Sequence, residues 1–268
     1  MTKEYIFDRL WVDYIHQNPI VNEVYQSFCD LGEEVINDHI ALRTFNDPRI
    51  NIEVLSRPFI EAGYREKGEY VFEEKHLKAK HFEHISDTKA PRVFISELVT
   101  EDFSPFLQEV VKKWIDQIPE TLLSSDELIF SGNKTGAPSF STYEKLRDES
   151  EYAAWLYVNG FCANHFTVSV NYLKNLKDIF EVNNFLKDKG FLMNDSGGEV
   201  KGTAKELLRQ SSIKSGKINI QFVEGVKETP GCYYEFAERF EDANGQIYSG
   251  FIAKSADKIF ESTDFYKG

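Results

Sequence analysis

Two histidines and one glutamate that are far apart in the sequence carry the side chains of a metal site. His39 and His165 lie in similar short segments, DHI (38–40) and NHF (164–166), and Glu235 lies in a later apolar segment. Two imidazoles and a carboxylate bind one face of an octahedral metal ion and leave the other face open, as in non-heme Fe(II) oxygenases. With one water molecule, the same groups bind zinc in hydrolases. The residue types therefore predict one metal ion and leave its identity open.

Two further glutamates are alternative metal ligands. Glu235 and Glu238 share the segment CYYEFAERF (232–240), and because side chains alternate along a strand, only one of the two faces the cavity. Glu97 is central in the earlier segment ISEL (95–98), so we interpret it as the counterpart of Glu235 in a repeated half. A four-ligand site would include Glu97. Otherwise we expect it to orient a ligand histidine or to line the cavity.

Arg43 is the predicted substrate-binding residue beside the metal. It follows His39 by four residues, an even spacing that places both side chains on one face of a strand. An arginine next to an open metal site would bind a carboxylate through two parallel hydrogen bonds. The polar segment LLRQSS (207–212) leads into a predicted strand and offers Gln210 and Ser212 as further candidate substrate contacts.

Three other histidines, His76, His81 and His84, form a second cluster. Their spacing of five and then three residues fits neither a helical pair nor one face of a strand. We expect surface or hairpin positions for them, with His81 or His84 as the candidates for the cavity wall.

The segments that would position these residues occur twice. His39 precedes Gly63, at the end of a predicted helix, by 24 residues, and His165 precedes Gly190, at the end of another, by 25. A repeat of this kind indicates two related structural units. The predicted segments of the first unit are 38–45 (strand), 51–64 (helix), 70–85 (one or two strands with a charged turn) and 91–99 (strand). Those of the second unit are 164–173 (strand), 175–191 (helix), and 217–225 and 231–240 (strands).

We therefore predict an α+β fold in which paired βαβββ modules form a curved sheet around a metal cavity. Apolar residues at helical spacing predict additional helices over 3–16, from Pro19 to Gly32, over 103–119 and over Tyr143–Val158. The predicted organisation is a single domain, 1–268, with N-terminal helices (1–36), a first half (37–100), a helical insertion (101–160) and a second half with a C-terminal tail (161–268).

Composition excludes several classes of protein. The formal net charge is −13, which argues against binding to nucleic acid or to an anionic membrane. Three cysteines without a C-x-x-C pair argue against a disulfide framework. The sequence contains no G-x-G-x-x-G, Walker or G-x-S-x-G motif. Because it also shows no signal core and no apolar run of membrane-spanning length, we predict a cytoplasmic protein without a membrane partner.

Four segments together resemble the 2-oxoadipate dioxygenase/decarboxylase (hydroxyglutarate synthase) family. They are DHIALRTF (38–45), RVFISELV (92–99), LLRQSS (207–212) and YYEFAER (233–239), and the resemblance spans roughly residues 36–240. That family is similar to the vicinal-oxygen-chelate superfamily, which has the paired βαβββ architecture. The resemblance implies Fe(II) bound where His39, His165 and Glu235 stand. It also implies that Arg43 is the catalytic residue that holds the substrate carboxylate, with Gln210 and Ser212 as further substrate contacts.

The implied reaction belongs to lysine catabolism and consumes a 2-oxo dicarboxylate and O2. For 2-oxoadipate, the products would be 2-hydroxyglutarate and CO2. Two other functions stay open at this point. One is a metal-dependent isomerase, lyase or hydrolase on the same scaffold, which would use zinc, nickel or manganese, with Glu97 as a fourth ligand or base. The other is a non-catalytic module that binds a small molecule.

Overall fold

Two helices at the start of the chain cover one face of a central sheet. The computed structural model describes residues 1–252 of the 268. Helix α1 (Lys3–Gln17) begins after the Thr2 cap, and α2 (Pro19–Asp30) has Pro19 in its first turn, as expected of helix starts. Their apolar faces are buried, with Trp11 packed on Phe166 at a ring distance of 5.0 Å. Both helices predicted in this region are confirmed.

The first half of the sheet follows the predicted order of elements. Its elements are β1 (Asn37–Phe45), α3 (Ile52–Glu61), β2 (Tyr64–Phe72), β3 (Leu77–His84) and β4 (Arg92–Leu98). The predicted charged turn of the hairpin is the 3-10 turn Glu73–Lys75 between β2 and β3. Asn51 caps α3 by accepting a hydrogen bond from the backbone N–H of Val54.

The central helices are α4 (Pro105–Asp116), α5 (Glu120–Leu123), α6 (Phe140–Glu149) and α7 (Glu151–Asn159). The prediction of a single helix over Tyr143–Val158 is wrong, because the helix is interrupted at Ser150. That residue has extended backbone (φ −151°, ψ 106°), and its side chain accepts a hydrogen bond from the N–H of Ala153. Serine favours a cap over a helix interior, since its hydroxyl competes for backbone hydrogen bonds.

The second half departs from the sequence prediction in three places. Its elements are β5 (Ala163–Ser169), α8 (Ile179–Asp188), β6 (Lys201–Thr203), β7 (Leu208–Ser212), β8 (Lys217–Phe222), β9 (Gly225–Pro230) and β10 (Tyr233–Arg239). The predicted strand 164–173 ends at Ser169. The polar segment 207–212, expected to lead into a strand, itself forms β7. The predicted strand 217–225 lies in a separate hairpin, where one of its faces is exposed and the other is mostly half-buried.

The main sheet has eight strands in the order β2-β3-β4-β1-β5-β10-β7-β6, and β8-β9 form the separate hairpin. The first strand of each half pairs in parallel with the last, β1 with β4 and β5 with β10. The two halves meet where β1 pairs antiparallel with β5. Left-handed backbone at His76 (φ 54°) and Leu207 (φ 67°) leads into β3 and β7, the same place in each half. The architecture is therefore the predicted α+β fold of two related modules in one curved sheet.

No helix within residues 1–252 combines the length and the apolar character that crossing a bilayer requires.

Candidate metal centre

A β-bulge stands before each of the two predicted ligand histidines. In the antiparallel ladder between β1 and β5, Asp38 of β1 and Asn164 of β5 have no partner residue on the other strand. A bulge redirects the side chains beside it. Here it brings Asp38 Oδ1 to 2.8 Å from His39 Nδ1, and Asn164 Oδ1 to 3.1 Å from His165 Nδ1. The acidic or amide residue before each histidine thus orients the imidazole ring.

These contacts leave both Nε2 atoms available as ligands. With the Nδ1 hydrogen donated to Asp38 or Asn164, each Nε2 carries the lone pair that a metal requires. Burial lowers the pKa of His39. Burial, together with the charges of His39 and Arg43, holds the pKa of His165 well below its usual range. Both rings are therefore neutral near pH 7, which is the metal-binding form.

Glu235 completes a compact group of three buried donors. One ligand atom from each of His39, His165 and Glu235 lies within 4.8 Å of the others. Glu235 Oε1 is 3.6 Å from His39 Nε2, and Oε2 is 3.2 Å from His165 Nε2. Thr167 Oγ1 also lies 3.1 Å from His39 Nε2. The structure thus brings together all three residues predicted to bind metal.

The surroundings of Glu235 are those of a carboxylate that needs a cation. Burial raises its pKa to about 8, although a hydrogen bond from Gln210 opposes the rise. Its Oε2 atom has no hydrogen-bond partner among the described residues. A buried charge without a partner is costly, so these donors fit a divalent ion that would neutralise the carboxylate.

The polar residues of β7 lie directly beside this ligand. Gln210 Nε2 donates a hydrogen bond of 2.5 Å to Glu235 Oε1, which orients the carboxylate. Ser212 is fully buried and pairs with Glu235 across the ladder. The structure therefore gives Gln210 a contact with the metal ligand that the sequence did not indicate. Contact of Gln210 and Ser212 with a substrate stays a prediction.

Arg43 lies on the same strand face as His39, as its spacing predicted, and is only 2% exposed. Its guanidinium carbon lies 4.9 Å from the centre of the Tyr152 ring and 5.0 Å from that of Trp155. Both rings belong to α7, so the helical insertion supplies the aromatic surface against which Arg43 packs. Arg43 follows by two residues Ala41, which pairs with His165 across the ladder, and its charge contributes to the lowered pKa of His165.

Glu97 is not the structural counterpart of Glu235, and the predicted equivalence is wrong. In the parallel pairing, Glu235 lies opposite Thr167, the second residue after the ligand histidine, whereas Glu97 lies opposite Thr44, the fifth. An offset of three residues places Glu97 on the other face of the sheet. There it accepts a hydrogen bond of 3.1 Å from the N–H of Ile52 at the start of α3.

Glu238 also lies on the face away from the metal donors, so of the two glutamates in this strand it is Glu235 that faces the cavity. Its carboxylate contacts Arg209 Nη1 at 3.2 Å. The three histidines of the second cluster lie in different surroundings. His76 is exposed beside Asp102, and His84 lies at the end of β3. Only His81 of that cluster is buried, at 2% exposure.

Arg239 is a residue of the site that the sequence interpretation missed. Its Nε and Nη2 atoms donate hydrogen bonds of 2.7 and 2.9 Å to the two carboxylate oxygens of Asp38. Burial alone would raise the pKa of Asp38, but the charges of Arg239 and Arg92 outweigh it and hold that pKa well below its usual range. The even spacing from Glu235 to Arg239 in YYEFAER was the available signal, since it places both on one strand face.

Comparison with known proteins shows which family this chain resembles. A family model described as 2-oxoadipate dioxygenase/decarboxylase matches residues 13–123 and 127–244. A curated relative from Arabidopsis thaliana, the chloroplastic 2-oxoadipate dioxygenase/decarboxylase, is 35% identical over 93% of this chain and 74% of its own length.

Solved structures show the same similarity. The hydroxyglutarate synthase from Oryza sativa, in complex with 2-oxoadipate, matches with a TM-score of 0.90 and 31% identity over 97% of this chain and 91% of that chain. A Shewanella frigidimarina protein provisionally assigned as a hydrolase matches with a TM-score of 0.88 and 47% identity, over 94% and 98% of the two chains. A Ralstonia eutropha protein provisionally assigned to the glyoxalase superfamily shares the fold at 23% identity and a TM-score of 0.74, over 90% and 83%. The extent of these matches shows that this chain belongs to the 2-oxoadipate dioxygenase/decarboxylase family.

Proposed function

We propose that this protein is an Fe(II)-dependent dioxygenase that converts 2-oxoadipate and O2 to 2-hydroxyglutarate and CO2. The observation that carries the proposal is the buried group of His39, His165 and Glu235, with Arg43 close by on the same face. Three protein donors leave coordination positions for small molecules. A bound Fe(II) ion would supply the redox chemistry with O2 that none of the side chains can supply.

The histidines and the glutamate have separate tasks in this proposal. Asp38 and Asn164 hold the two imidazoles in the tautomer that presents Nε2 to the metal. Gln210 holds the carboxylate of Glu235. Because all three ligands are oriented by a further hydrogen bond and are nearly inaccessible to solvent, the site keeps its geometry when metal enters.

Arg43 supports a dicarboxylate as the substrate. A 2-oxo dicarboxylate can bind metal through its keto oxygen and adjacent carboxylate, which leaves a second carboxylate for recognition by the protein. The Arg43 guanidinium packs over the rings of Tyr152 and Trp155, and a guanidinium has the planar set of donors that suits that group. Fixing the substrate at both ends matters, since a displacement of about 1 Å can reduce a rate by about a hundredfold.

Oxygen uptake tests this function directly. The purified protein, loaded anaerobically with Fe(II), is expected to consume O2 when 2-oxoadipate is added and to form one CO2 for each O2. The Arg43→Lys variant should bind iron normally but require more substrate, because a point charge replaces the bidentate donor pair. Absence of uptake across a panel of 2-oxo acids would reject the proposal, and full metal occupancy in His165→Ala would reject the ligand set.

A hydrolase is the second candidate, because a protein provisionally assigned to that class is 47% identical to this chain. The same three donors with a water molecule bind zinc in hydrolases. Metal analysis after anaerobic and aerobic purification separates the two candidates. Iron content that tracks oxygen uptake supports the dioxygenase, and activity with zinc alone supports the hydrolase.

A further inference from the structure

Phe94 occupies in the first half of the sheet the place that Glu235 occupies in the second. Phe94 lies opposite Ala41 in the β1–β4 pairing, and Glu235 lies opposite Thr167 in the β5–β10 pairing. Each of these partners is the second residue after the ligand histidine of its half. By the symmetry of the two modules, a carboxylate at position 94 would point at the metal site from the opposite side.

The strands next to these positions obey the same relation but differ in chemistry. His81 pairs with Phe94 across the β3–β4 ladder, as Ser212 pairs with Glu235 across the β10–β7 ladder. In the second half, Gln210 donates a hydrogen bond to the carboxylate of Glu235. The first half presents an aromatic ring at the matching place, 5% exposed. Within residues 1–252, the first half therefore contributes only His39 to the group of metal donors.

Phe251 packs against this apolar position and against the metal ligand itself. Its ring centre lies 4.9 Å from that of Phe94 and 4.8 Å from that of His39, and it meets the His39 ring edge to face. It also lies 5.4 Å from the His81 ring. Only 6% of Phe251 is exposed, so the ring is a built part of the wall beside His39.

Phe251 is the last residue of a short segment, residues 248–251, which we name the strap. Hydrogen bonds to its backbone fix the position of Phe251. Arg239 Nη1 donates hydrogen bonds of 3.0 and 2.8 Å to two carbonyl oxygens of the strap. The backbone N–H of Phe251 donates to the Tyr70 hydroxyl at 3.1 Å, and that hydroxyl lies 2.8 Å from His81 Nδ1. Polar side chains from both halves of the sheet, Arg239 and Tyr70, thus anchor the strap at each end.

We propose that Phe94 and Phe251 form an apolar plug at the place of a fourth metal ligand. The plug limits the protein to three ligands and keeps water away from the side of the metal next to His39. An apolar wall at this position would leave the neighbouring side of a bound metal to O2 and substrate, because an apolar surface does not hold ordered water. The benefit to O2 and substrate binding rests on the proposed function. The position of the plug beside the metal donors does not.

Substitution of Phe94 tests the position. Phe94→Glu should place a carboxylate at the symmetry-related site, and Phe94→Gln is its matched control without the charge. Titration with Co(II) against a chelator should show at least tenfold tighter binding by Phe94→Glu than by Phe94→Gln, with a changed visible absorption spectrum of the Co(II). Equal affinities and identical spectra in the two folded variants would overturn the assignment of position 94.

Substitution of Phe251 tests the exclusion of water and does not depend on a new charge being tolerated. With Mn(II) bound, Phe251→Ala should raise the relaxation rate of water protons above that of the wild type, because water also reaches the side of the metal next to His39. Phe251→Leu keeps an apolar side chain and should stay near the wild-type rate. Equal rates in all three proteins would overturn the plug.

These measurements separate the two proposals. Neither Co(II) affinity nor Mn(II) relaxation requires oxygen or a 2-oxo acid, so both can succeed if the wild type oxidises no 2-oxo acid. In that case, the proposed function fails and the plug remains. If oxygen is consumed with 2-oxoadipate but the variants show no change in coordination or water access, the function remains and the plug fails.

Discussion

Asp38 and Asn164 perform one task with different charges. Each accepts a hydrogen bond from the Nδ1 of the following histidine, but Asp38 also binds Arg239 through both carboxylate oxygens. An amide is therefore sufficient to orient a ligand histidine, as Asn164 does for His165. The carboxylate at Asp38 must have a second role, which is to neutralise a buried guanidinium.

We expect Asp38→Asn to destabilise the fold more than it weakens metal binding. The variant keeps an acceptor for His39 but leaves Arg239 buried without its counter-charge, a change that typically costs about 3–5 kcal/mol of unfolding free energy. Urea denaturation measures this loss. The exposed Asp116→Asn is the matched control and should behave like the wild type. An unchanged urea midpoint for Asp38→Asn would contradict the role of the pair.

The pH dependence of Asp38→Asn follows from the same pair. Because the folded-state pKa of Asp38 lies below its unfolded value of about 3.9, the carboxylate stabilises the fold above about pH 4. This contribution is lost as the pH falls through the folded-state pKa. As the pH is lowered from about 5, the unfolding free energy of the wild type should therefore fall more steeply than that of the variant.

Gln210 is expected to act on metal affinity through Glu235. Gln210→Leu removes the donor that holds Glu235 Oε1, and loss of such an orienting partner typically costs about 10–100-fold in metal affinity or activity. Competition with a chelator for Co(II) measures the affinity. Gln26→Leu on the exposed side of α2 is the control for the change of residue type. If Gln210 contacts only substrate, the Co(II) affinity will stay at the wild-type value.

At the scale of elements, two bulges and two parallel strand pairs build the site. The bulges turn Asp38 and Asn164 toward the histidines, and the parallel pairing of β5 with β10 places Glu235 beside them. Helix α7 contributes the rings beneath Arg43. The hairpin β8–β9 lies outside the main sheet and is joined to α6 instead.

Glu224, in the turn of that hairpin, fastens it to the first turn of α6. Its carboxylate accepts hydrogen bonds from the N–H of Phe140 at 2.7 Å and from Ser139 Oγ at 2.9 Å. The backbone hydrogen bond from Phe140 is the main reason that the pKa of Glu224 is lowered to about 2. An acidic side chain at a helix start is also favoured by the helix dipole.

We expect Glu224→Gln to loosen the hairpin and the start of α6. Near pH 7, amide hydrogen exchange in residues 139–141 and 217–230 should be faster than in the wild type. Because the folded-state pKa is lowered, the stabilisation is present above about pH 4.3 and is lost as the pH falls toward the folded-state value. The difference between the proteins should shrink in the same range. Glu228→Gln, which removes an exposed pair with Lys217, is the control. Equal exchange near pH 7 would show that Glu224 does not hold the hairpin.

At the scale of the whole molecule, the metal site joins the two halves. Its histidines come from β1 and β5, the two strands that pair at the centre of the sheet. A metal ion bound there connects the modules and should stabilise the folded chain over the unfolded one.

Metal is therefore expected to raise the thermal midpoint. At a free metal concentration of 100 times the dissociation constant, binding to the folded state alone contributes about 2.7 kcal/mol. For a chain of this size, each kcal/mol corresponds to a shift of about 2–4 °C. Calorimetry with Co(II) and with excess chelator measures the difference, and His165→Ala should show none. A midpoint that is the same with and without metal in the wild type would contradict a shared site.

The sequence alone was sufficient for features that depend on neighbouring residues. Helical periodicity and the N-terminal cap or proline predicted α1 and α2, and the repeated histidine segments predicted the two modules and the pair His39 and His165. Parity along a strand correctly predicted that only one of Glu235 and Glu238 faces the cavity, but not which one. The spacing of Arg43 from His39 likewise predicted a shared face, because alternation is a property of a single strand.

Only the tertiary structure decided how the strands align with each other. The register of β4 against β1 made Phe94, not Glu97, the counterpart of Glu235, and no local pattern contains that register. The ion pair of Asp38 with Arg239 and the contact of Phe251 with His39 join residues about 200 positions apart. Such contacts form when two sheet halves pack together, so their partners depend on strand pairing and bulges and not on the residues nearby in the sequence.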